Sequence, residues 1–293
     1  MTGAEQTTRP PIVLSIAGTD PSGGAGIHAD LKTFTARGVL GTTAITALVA
    51  QNTHGVSRVY PIDDDFVSDQ LDSVLTDMPV DATKSGMLGS RSLVELVVER
   101  AAQGQLGFYT VDPVMVATSG HRLLEVDAVD AVRDHLLPVS DLITPNLPEA
   151  ALLLGDDVPA AQNQKQMVEQ AKELVARGPR AVLLKGGHAL DGDVADVLVT
   201  ADGELTEFTH PRVPTPNTHG TGCTLSAAIT AEVAVRKRER GVTEVSTSLL
   251  VDAVDSALNY LARALRSAAD WQVSLDPDGA HGPVDHQVDI VRR

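Results

Sequence analysis

The sequence predicts an α/β fold in which a mostly parallel central sheet is covered by helices on both faces. Short apolar runs alternate along the chain with longer segments that carry apolar residues at spacings of three and four, a pattern typical of strand–helix–strand units. Parallel strands connected in this way bury both faces of their sheet under helices. The 293 residues suffice for one large domain, and no proline-rich or serine-rich linker divides them.

Each predicted strand is a short apolar run bounded by polar residues or glycine, and each predicted helix is a longer segment with an apolar face. In chain order, the predicted strands are residues 12–17, 42–50, 56–62, 82–87, 108–112, 141–144, 181–185 and 194–200. A predicted helix begins at residue 27, and the others are 64–75, 91–103, 126–137, 147–153, 166–176, 221–235 and a closing zone at 246–269.

Composition excludes several classes of protein. A formal charge of −16 and an aromatic content of 3% disfavour nucleic-acid binding, because phosphate backbones are held by clustered lysines and arginines. No apolar run approaches the roughly 18 residues that a membrane span needs. The single cysteine cannot form an internal disulfide, and residues 1–10 carry no secretion signal, so we expect a cytoplasmic protein with a flexible N-terminal arm.

Residues 216–231 are the most informative segment, because a glycine-interrupted polar turn runs directly into a helix of small residues. The free backbone N–H groups and the dipole at such a helix start favour phosphate. Gly220 and Gly222 allow close backbone approach, and Cys223 lies in the first turn, where we expect a lowered thiol pKa. The alternative is that this turn simply caps a buried helix.

A second glycine-rich turn, residues 18–26, follows the first predicted strand and leads into a helix. Its spacing is neither that of a Walker P-loop nor that of a dinucleotide-binding fingerprint. Other strands are followed by polar residues, and parallel sheets bind ligands beyond the carboxyl ends of their strands. These polar segments are residues 51–53, 84–89, 112–115, 144–149 and 185–188.

Five ordered motifs carry a family resemblance. They are Ala-Gly-Thr-Asp-Pro-Ser-Gly-Gly-Ala-Gly-Ile at 17–27, Ala-Leu-Val-Ala-Gln-Asn-Thr at 47–53, Thr-Pro-Asn-Leu-Pro-Glu-Ala at 144–150, Leu-Lys-Gly-Gly-His at 184–188 and Asn-Thr-His-Gly-Thr-Gly-Cys-Thr-Leu-Ser at 217–226. With them the chain resembles the hydroxymethylpyrimidine/phosphomethylpyrimidine kinases of thiamine synthesis, in the ribokinase-like superfamily. The resemblance covers residues 11–286 and implies a single three-layer α/β/α kinase domain between an arm (1–10) and a tail (287–293).

The resemblance implies ATP-dependent, Mg²⁺-assisted phosphorylation of 4-amino-5-hydroxymethyl-2-methylpyrimidine to its monophosphate and then to the diphosphate, by a homodimer. Two alternatives stay open. One is a pyridoxal kinase of vitamin B6 salvage, because both substrates are aromatic heterocycles with a hydroxymethyl arm. The other is a non-catalytic pyrimidine or nucleotide sensor on the same fold. Gln51 and Met87 favour the pyrimidine.

For the transferred phosphoryl group, the resemblance implies roles for Gly220, Thr221, Gly222 and Cys223 at the γ-phosphoryl oxygens. Most sugar kinases of the superfamily place an aspartate where this chain has Cys223, so its thiolate is a candidate general base. The alternative is that Cys223 is a small buried residue, since a loose transition state needs little help from a base.

Asp112 and Glu149 are candidate Mg²⁺ carboxylates, because this ion is commonly held by one or two carboxylates together with nucleotide phosphates. Glu149 belongs to a segment that resembles the superfamily's Asn-x-x-Glu metal motif. The alternatives are a helix-capping pair of Asn146 and Glu149, and an Asp-Pro turn at Asp112.

On the substrate side, Gln51 offers a donor and an acceptor on one amide, which suits the edge of a pyrimidine. In the family, the residues that match Gly18, Asp30, Met87 and Val114 lie around the same ring. The alternatives are a solvated carboxylate in the first turns of a helix for Asp30, and core packing for Met87 and Val114.

On the nucleotide side, the resemblance implies contacts from Lys185, Asn146, Thr218 and His219. Glycines and prolines make segments 113–122 and 186–192, the second of which includes His188, candidate lids over the substrates. His28 stands where many relatives have glutamine, and we expect it at the rim of the pocket.

Overall fold

The computed structural model describes residues 9–115, 126–155, 157–187 and 192–290. Its strands are β1 (Ile12–Ala17), β2 (Leu40–Ile45), β3 (Ala47–Asn52), β4 (Gly55–Pro61), β5 (Ala82–Ser85), β6 (Phe108–Val111), β7 (Leu142–Ile143), β8 (Ala181–Leu184), β9 (Val194–Thr200) and β10 (Leu205–His210). Its helices are α1 (Gly26–Ala36), α2 (Asp64–Leu75), α3 (Arg91–Ala102), α4 (Val126–Ala131), α5 (Leu147–Leu154), α6 (Gln164–Val175), α7 (Thr221–Arg240) and α8 (Thr247–Ser267).

The central sheet has the strand order β10-β9-β8-β7-β6-β5-β1-β2. The six strands from β8 to β2 run parallel to one another, while β9 and β10 are antiparallel additions at one edge. The predicted fold class, a mostly parallel sheet with helices on both faces, is therefore confirmed. All parallel strands end at the same edge of the sheet, where the glycine turns and the polar segments follow.

Each face of the sheet packs against its own hydrophobic core. On one face, Leu14 and Ile16 of β1 lie in a cluster with helices α2 to α6. On the other face, Val13 of the same strand packs with Phe34 of α1 and with α7 and α8. Successive side chains of a strand point to opposite faces, so β1 is buried along its whole length and contributes to both cores.

Helix α7 lies inside the second core, between the sheet and α8. Residues 224–234 are all buried, and small side chains at Ala227, Ala228 and Ala231 allow the close approach of neighbouring elements. The helix continues to Arg240, beyond the predicted end at residue 235, and terminates at Gly241, whose φ of 64° is left-handed. This buried helix holds the start of its first turn firmly at the edge of the sheet.

The single strand predicted at 42–50 is wrong, because the chain divides it into β2 and β3 at Thr46. The Thr46 N–H bonds to the carbonyl of Ala17, and its hydroxyl donates to the carbonyl of Met87 at 2.7 Å. Strand β3 then leaves the central sheet and pairs with β4 in a separate two-stranded sheet. This hairpin lies beyond the carboxyl ends of the main strands.

Two further elements differ from the sequence prediction. Residues 205–210, which carried no prediction, form the edge strand β10 with alternating burial. The helix predicted at 126–137 is α-helical only to Ala131, and continues as a π-helical turn (Val132–Leu136) and a 3₁₀ turn (Leu137–Val139). Pro138 cannot donate to a helical hydrogen bond, which explains why the α-helix does not extend through it.

Ion pairs tie both described ends of the chain to the domain. Arg9, within the predicted arm, forms a two-pronged pair with Asp81. Asp289, within the predicted tail, pairs with Arg37 and Arg263. In the described ranges, no helix is both long and apolar enough to cross a membrane.

Candidate active site

The carboxyl ends of β1, β5, β6, β7 and β8 border a cavity of about 750 Å³. The start of α7, the inner face of β3 and parts of α5 and α8 also line it. Every predicted site residue except Asp30 lines this cavity. The sheet topology thus brings together segments that are up to two hundred positions apart in the sequence.

The N-terminus of α7 opens into the cavity without a side-chain cap. Gly220 occupies the N-cap position in a left-handed conformation, with a φ of 76°. The Thr221 N–H is bonded to the carbonyl of Thr218, whereas first-turn N–H groups such as those of Gly222 and Cys223 have no carbonyl four residues earlier within the helix. Together with the helix dipole, these groups form a positive surface suited to a phosphate.

The first glycine-rich turn is organised by Asp20, a buried carboxylate that the sequence analysis did not single out. Asp20 accepts hydrogen bonds from the N–H and hydroxyl of Ser22 and from the N–H groups of Gly24 and Ala25. Burial works to raise the pKa of Asp20, but hydrogen bonds from His219 and Ser22 outweigh it and hold the pKa well below its usual range. The aspartate before a Pro-Ser-Gly turn was the available sequence signal.

His219 connects the two glycine turns and the hairpin. Its Nε2 lies 2.7 Å from Oδ2 of Asp20 and 3.2 Å from Nε2 of Gln51. Its backbone N–H donates to the carbonyl of Gly282, so the C-terminal segment also fixes its position. His28, expected at the pocket rim, instead accepts a hydrogen bond from the N–H of Asp20 through Nδ1.

One end of the cavity has an apolar wall with a single amide. Met87 and Val49 pack in a small cluster of the hairpin, and both lie against Gly18, where a β-carbon would overlap the terminal methyl of Met87. Gln51 is half-buried on the same inward face of β3 as Val49. Val114 is half-buried in the cavity wall after β6. Such a surface can hold a flat heterocycle and read one of its polar edges.

A cluster of charges lies on the other side of the α7 N-terminus. Lys185 Nζ donates to Oδ1 of Asp112 at 3.1 Å, and Ser226 of α7 donates to Oδ2 at 3.2 Å. Burial works to raise the pKa of Asp112, but Lys185 and Lys84 outweigh it and hold the pKa low. A β-carbon at Gly222 would lie 3.4 Å from Lys185 Nζ, so the glycine brings the helix start close to this pair.

Glu149 and Asn146 form the helix-capping pair that the sequence left as an alternative. The Asn146 N–H donates to Glu149 at 2.8 Å, and the Glu149 N–H donates to the Asn146 side chain at 2.9 Å. Burial raises the pKa of Glu149 to about 7, with Asp112 adding to the effect and Lys185 opposing it. This carboxylate is therefore poised to ionise when a cation arrives.

The donor set fits a magnesium ion that keeps most of its water. Among the described residues there is no group of three histidine, cysteine or acidic side chains that could hold a metal on its own. Asp112 and Glu149 nevertheless lie close enough to influence each other's charge. Because Mg²⁺ needs only one or two protein carboxylates when phosphates supply other ligands, this pair fits it.

The expectation of a lowered pKa for Cys223 is wrong. Burial raises the pKa of this thiol to about 11, with Asp112 and Asp30 adding to the effect and Lys84 opposing it. Cys223 lines the cavity in the first turn of α7. Desolvation of the partly buried thiol and the nearby carboxylates outweigh the helix start, so the thiol keeps its proton at neutral pH.

Asp30 lies behind the cavity wall rather than in it, which corrects its predicted place beside the substrate. Its carboxylate is fully buried, accepts from Ser15 at 2.5 Å, and contacts Lys84 Nζ at 3.0 and 3.1 Å. Lys84 lines the cavity in its place. Burial works to lower the pKa of Lys84, but Asp30 and Cys223 outweigh it and raise the pKa. The sequence analysis placed Lys84 in the polar segment 84–89 but gave it no role.

A second apolar region of the cavity, also missed in the sequence, lies beside α5 and α8. It is formed by Pro148, Leu152, Val213, Leu258, Leu261 and Leu265. Lys185, Asn146 and Thr218 line the same cavity. Residues 116–122 and 188–191, which include His188 and most of the two candidate lids, lie outside the described residues.

The cavity therefore combines two apolar regions with a helix start suited to phosphate, one buried lysine, Lys84, and one half-buried lysine, Lys185. This arrangement on a parallel α/β sheet is typical of phosphotransferases of the ribokinase-like kind.

Comparison with known proteins identifies the family. The model of the phosphomethylpyrimidine kinase family matches residues 20–285, and the chain belongs to this family. A hydroxymethylpyrimidine/phosphomethylpyrimidine kinase of Escherichia coli is 50% identical over 273 residues, which cover 93% of this chain and 96% of that protein.

Two solved structures are similar to this chain. The phosphomethylpyrimidine kinase of Clostridium difficile superimposes with a TM-score of 0.72 at 35% identity, covering 87% of this chain and 99% of that one. An ADP complex of Bacillus subtilis pyridoxal kinase superimposes with a TM-score of 0.80 at 33% identity, covering 95% and 98%.

Proposed function

We propose that this chain is a hydroxymethylpyrimidine and phosphomethylpyrimidine kinase. It uses ATP to phosphorylate 4-amino-5-hydroxymethyl-2-methylpyrimidine and then phosphorylates the monophosphate to the diphosphate, in thiamine biosynthesis. The observation that carries the proposal is that the uncapped start of α7 faces the same cavity as Gln51 and Lys185 in a member of this family. The cavity volume of about 750 Å³ is large enough for two ligands.

The heterocycle lies at the hairpin end, between Met87 and Val114, with its polar edge against Gln51. ATP lies along α5 and α8, with its base in the apolar region and its phosphates toward Lys185, Asn146 and Thr218. The backbone N–H groups at Gly220, Gly222 and Cys223 surround the transferred group, and Thr221, whose N–H is bonded to the carbonyl of Thr218, holds the turn between them. Removing one preorganised donor of this kind typically costs about 3 kcal/mol of transition-state stabilisation.

Asp112 and Glu149 would hold Mg²⁺ on the nucleotide side. When bound, the ion neutralises charge on the phosphate oxygens. The chain contributes the two carboxylates, and the pKa of about 7 at Glu149 means that its ionisation accompanies cation binding near neutral pH. Lys185, paired with Asp112, supplies a second positive charge beside the phosphates.

Phosphorylation also requires that the substrate hydroxyl lose its proton. Cys223 lies at the helix start, but with a pKa of about 11 it is not a base in the free protein at neutral pH. Lys84 is the neighbouring cation that favours its thiolate. We therefore assign Cys223 to the contact with the hydroxymethyl group. The hydroxyl proton leaves late in a loose transition state and passes to an oxygen of the transferred phosphoryl group.

Pyridoxal phosphorylation is a second candidate, and one observation favours it. The pyridoxal kinase of Bacillus subtilis covers 95% of this chain with a TM-score of 0.80. A hydroxymethyl arm on an aromatic ring is common to both substrates, so an apolar pocket separates them weakly.

A coupled assay of ADP formation with Mg²⁺ tests these functions, using hydroxymethylpyrimidine, its monophosphate and pyridoxal as acceptors and product masses as confirmation. We expect turnover of both pyrimidines. Turnover of pyridoxal alone would replace the proposal with vitamin B6 salvage. Absence of turnover with retained binding of nucleotide and pyrimidine would favour a sensor.

The outer face of the hairpin supports a homodimer. Leu48 and Tyr60 are directly paired across β3 and β4, and 47% and 57% of their surfaces are exposed. Phe66 of α2 is 59% exposed. We propose that a second copy covers this face. Sedimentation of Tyr60→Asp should give a monomer, while Leu205→Asp at the far edge of the sheet should leave the dimer intact; a monomeric unmodified protein would contradict the proposal.

We place the enzyme in the cytoplasm. The support is its only cysteine, Cys223, which lines the cavity as a free thiol. A reducing compartment keeps such a thiol intact.

A further inference from the structure

One nitrogen of His219 has two polar neighbours, of which one requires a hydrogen-bond donor and the other an acceptor. Nε2 lies 2.7 Å from a carboxylate oxygen of Asp20 and 3.2 Å from the amide nitrogen of Gln51. A neutral or charged imidazole offers at this atom either one N–H donor or one lone pair, never both. The protonation of Nε2 therefore decides how both neighbours are satisfied.

The hydrogen bonds of Asp20 show that Nε2 of His219 is the donor. Its Oδ2 already accepts from the N–H groups of Gly24 and Ala25, and its Oδ1 accepts from the N–H and hydroxyl of Ser22. A carboxyl group that receives four donors has no proton of its own to give. The short contact with His219 is therefore an Nε2–H donation to Asp20.

Gln51 cannot then donate to the same atom. Two N–H groups facing each other at 3.2 Å repel, and a half-turn about the last side-chain bond of Gln51 exchanges its amide nitrogen for its oxygen. After this half-turn Oε1 shares the Nε2–H of His219 with Asp20, and the amide NH₂ lies on the side away from His219. The imidazole thus selects one of two amide orientations.

We propose that His219 is a positioning residue that fixes the Gln51 amide with Oε1 toward α7 and NH₂ away from it, and thereby sets the direction in which the aminopyrimidine binds. The proposal rests on the proposed function for the identity of the acceptor. In 4-amino-5-hydroxymethyl-2-methylpyrimidine, the ring nitrogen, the amino carbon and the hydroxymethyl carbon follow one another around the ring. An amide reads the amino group through its oxygen and the ring nitrogen through its NH₂.

The order of these groups explains why the orientation matters. With Oε1 on the His219 side, the amino group also lies on that side, and the neighbouring hydroxymethyl arm extends toward Gly220 and the phosphate-binding helix start. The reversed amide would turn the ring over and direct the arm away from α7. Pyridoxal lacks an amino group beside its ring nitrogen, so the fixed amide discriminates against it.

The first test is the tautomer of His219 in the ligand-free protein, measured from ¹⁵N chemical shifts of the ring, with His219→Gln used to assign the signals. We expect a protonated Nε2. An unprotonated Nε2 would overturn the proposal whatever the enzyme phosphorylates.

The second test is a double-mutant cycle that separates positioning from a structural role. His219→Leu should lower kcat/KM for hydroxymethylpyrimidine about ten-fold in the unmodified protein but less than about two-fold in the Gln51→Leu variant. His219→Gln keeps a donor near the position of Nε2 and should recover most of the loss. The resemblance implied a nucleotide contact for His219, but its Nε2 lies against Asp20 and Gln51 instead, so the affinity for a non-hydrolysable ATP analogue should not change.

Equal losses in both backgrounds, or weaker binding of the analogue, would overturn the proposal and assign His219 to the nucleotide. If the unmodified enzyme does not phosphorylate the pyrimidine, the proposed function and the ring direction fail together. The tautomer measurement still decides the orientation of Gln51 in that case, so the two failures are distinguishable.

Discussion

The carbonyl oxygen of Gly24 occupies the space that a β-carbon on Gly220 would fill. The two glycine-rich turns, separated by almost two hundred residues, therefore meet backbone to backbone at the edge of the cavity. Gly220 also has a φ of 76°, a conformation that side chains other than hydrogen disfavour. Both conditions explain why the turn before α7 requires glycine at this position.

Gly220→Ala should consequently destabilise the protein by about 2–4 kcal/mol, because left-handed strain and overlap with Gly24 add together. Gly241→Ala is the matched control, since Gly241 has a φ of 64° but no atom within 4 Å of the point that a β-carbon would occupy. The control should cost only about 1 kcal/mol. Urea unfolding measures both variants, and equal losses would show that overlap with Gly24 contributes nothing.

Lys84→Met should destabilise the protein by about 3–5 kcal/mol, because it leaves the buried carboxylate of Asp30 without its cation. The double variant Lys84→Met/Asp30→Asn should recover part of this loss. Lys165→Met, which breaks an exposed pair with Glu169, should change stability by less than about 0.5 kcal/mol. Thermal and urea unfolding test the series, and a double variant less stable than Lys84→Met would contradict the explanation.

Glu149 should make the nucleotide-free protein less stable as pH rises. Its folded-state pKa is about 7 against an ordinary 4.5, so between these values the folded state holds a proton that the unfolded state has released. Stability then falls with rising pH across this window, by at most about 3 kcal/mol. Glu149→Gln should be more stable than the unmodified protein at pH 8 but not at pH 4. Urea unfolding at pH 4 and pH 8 measures the stability of both proteins. The same stability difference between them at both pH values would refute the prediction.

Cys223 should react slowly with iodoacetamide at neutral pH. A thiol with a pKa of about 11 is almost entirely protonated there, and only the thiolate is alkylated. The rate should rise with pH up to that value. Lys84→Met removes the neighbouring cation and should slow alkylation further at each pH where the variant is folded. Fast alkylation near pH 7 would mean that the helix start outweighs burial, and would restore the thiolate as general base.

The sequence pattern was sufficient to predict the sheet and the two glycine turns, because these depend on local periodicity and on the rule that parallel strands end at one edge. The fourteen predicted residues that line the cavity were found partly from this rule and partly from the family resemblance. The division of residues 42–50 could not be predicted in the same way. Thr46 is held by hydrogen bonds to Ala17 and Met87, and partners so distant in sequence leave no periodic signal.

The ion pairs and pKa values of the site also could not be predicted from the sequence. Asp30 looks like a solvated carboxylate at the start of a helix, and only the fold shows that Lys84 of a neighbouring strand lies against it. Cys223 looks like an activated thiol because its helix position is visible, while the burial and the carboxylates that raise its pKa are not. A pKa is set by the surroundings in space, and those depend on the packing of distant segments.

In the proposed function, the β3–β4 hairpin places the choice of acceptor on a part of the protein that is separate from the two main cores. Within the described residues it pairs with no strand of the central sheet, and Ala47, Val49 and Met87 form a small cluster of their own. Substitutions on its inner face disturb few contacts of the two large cores, so they should change the stability of the folded protein little. A few substitutions in the hairpin can therefore change which acceptor is preferred, while the proposed phosphate site at the start of α7 stays the same. Few substitutions then separate enzymes that act on related vitamins.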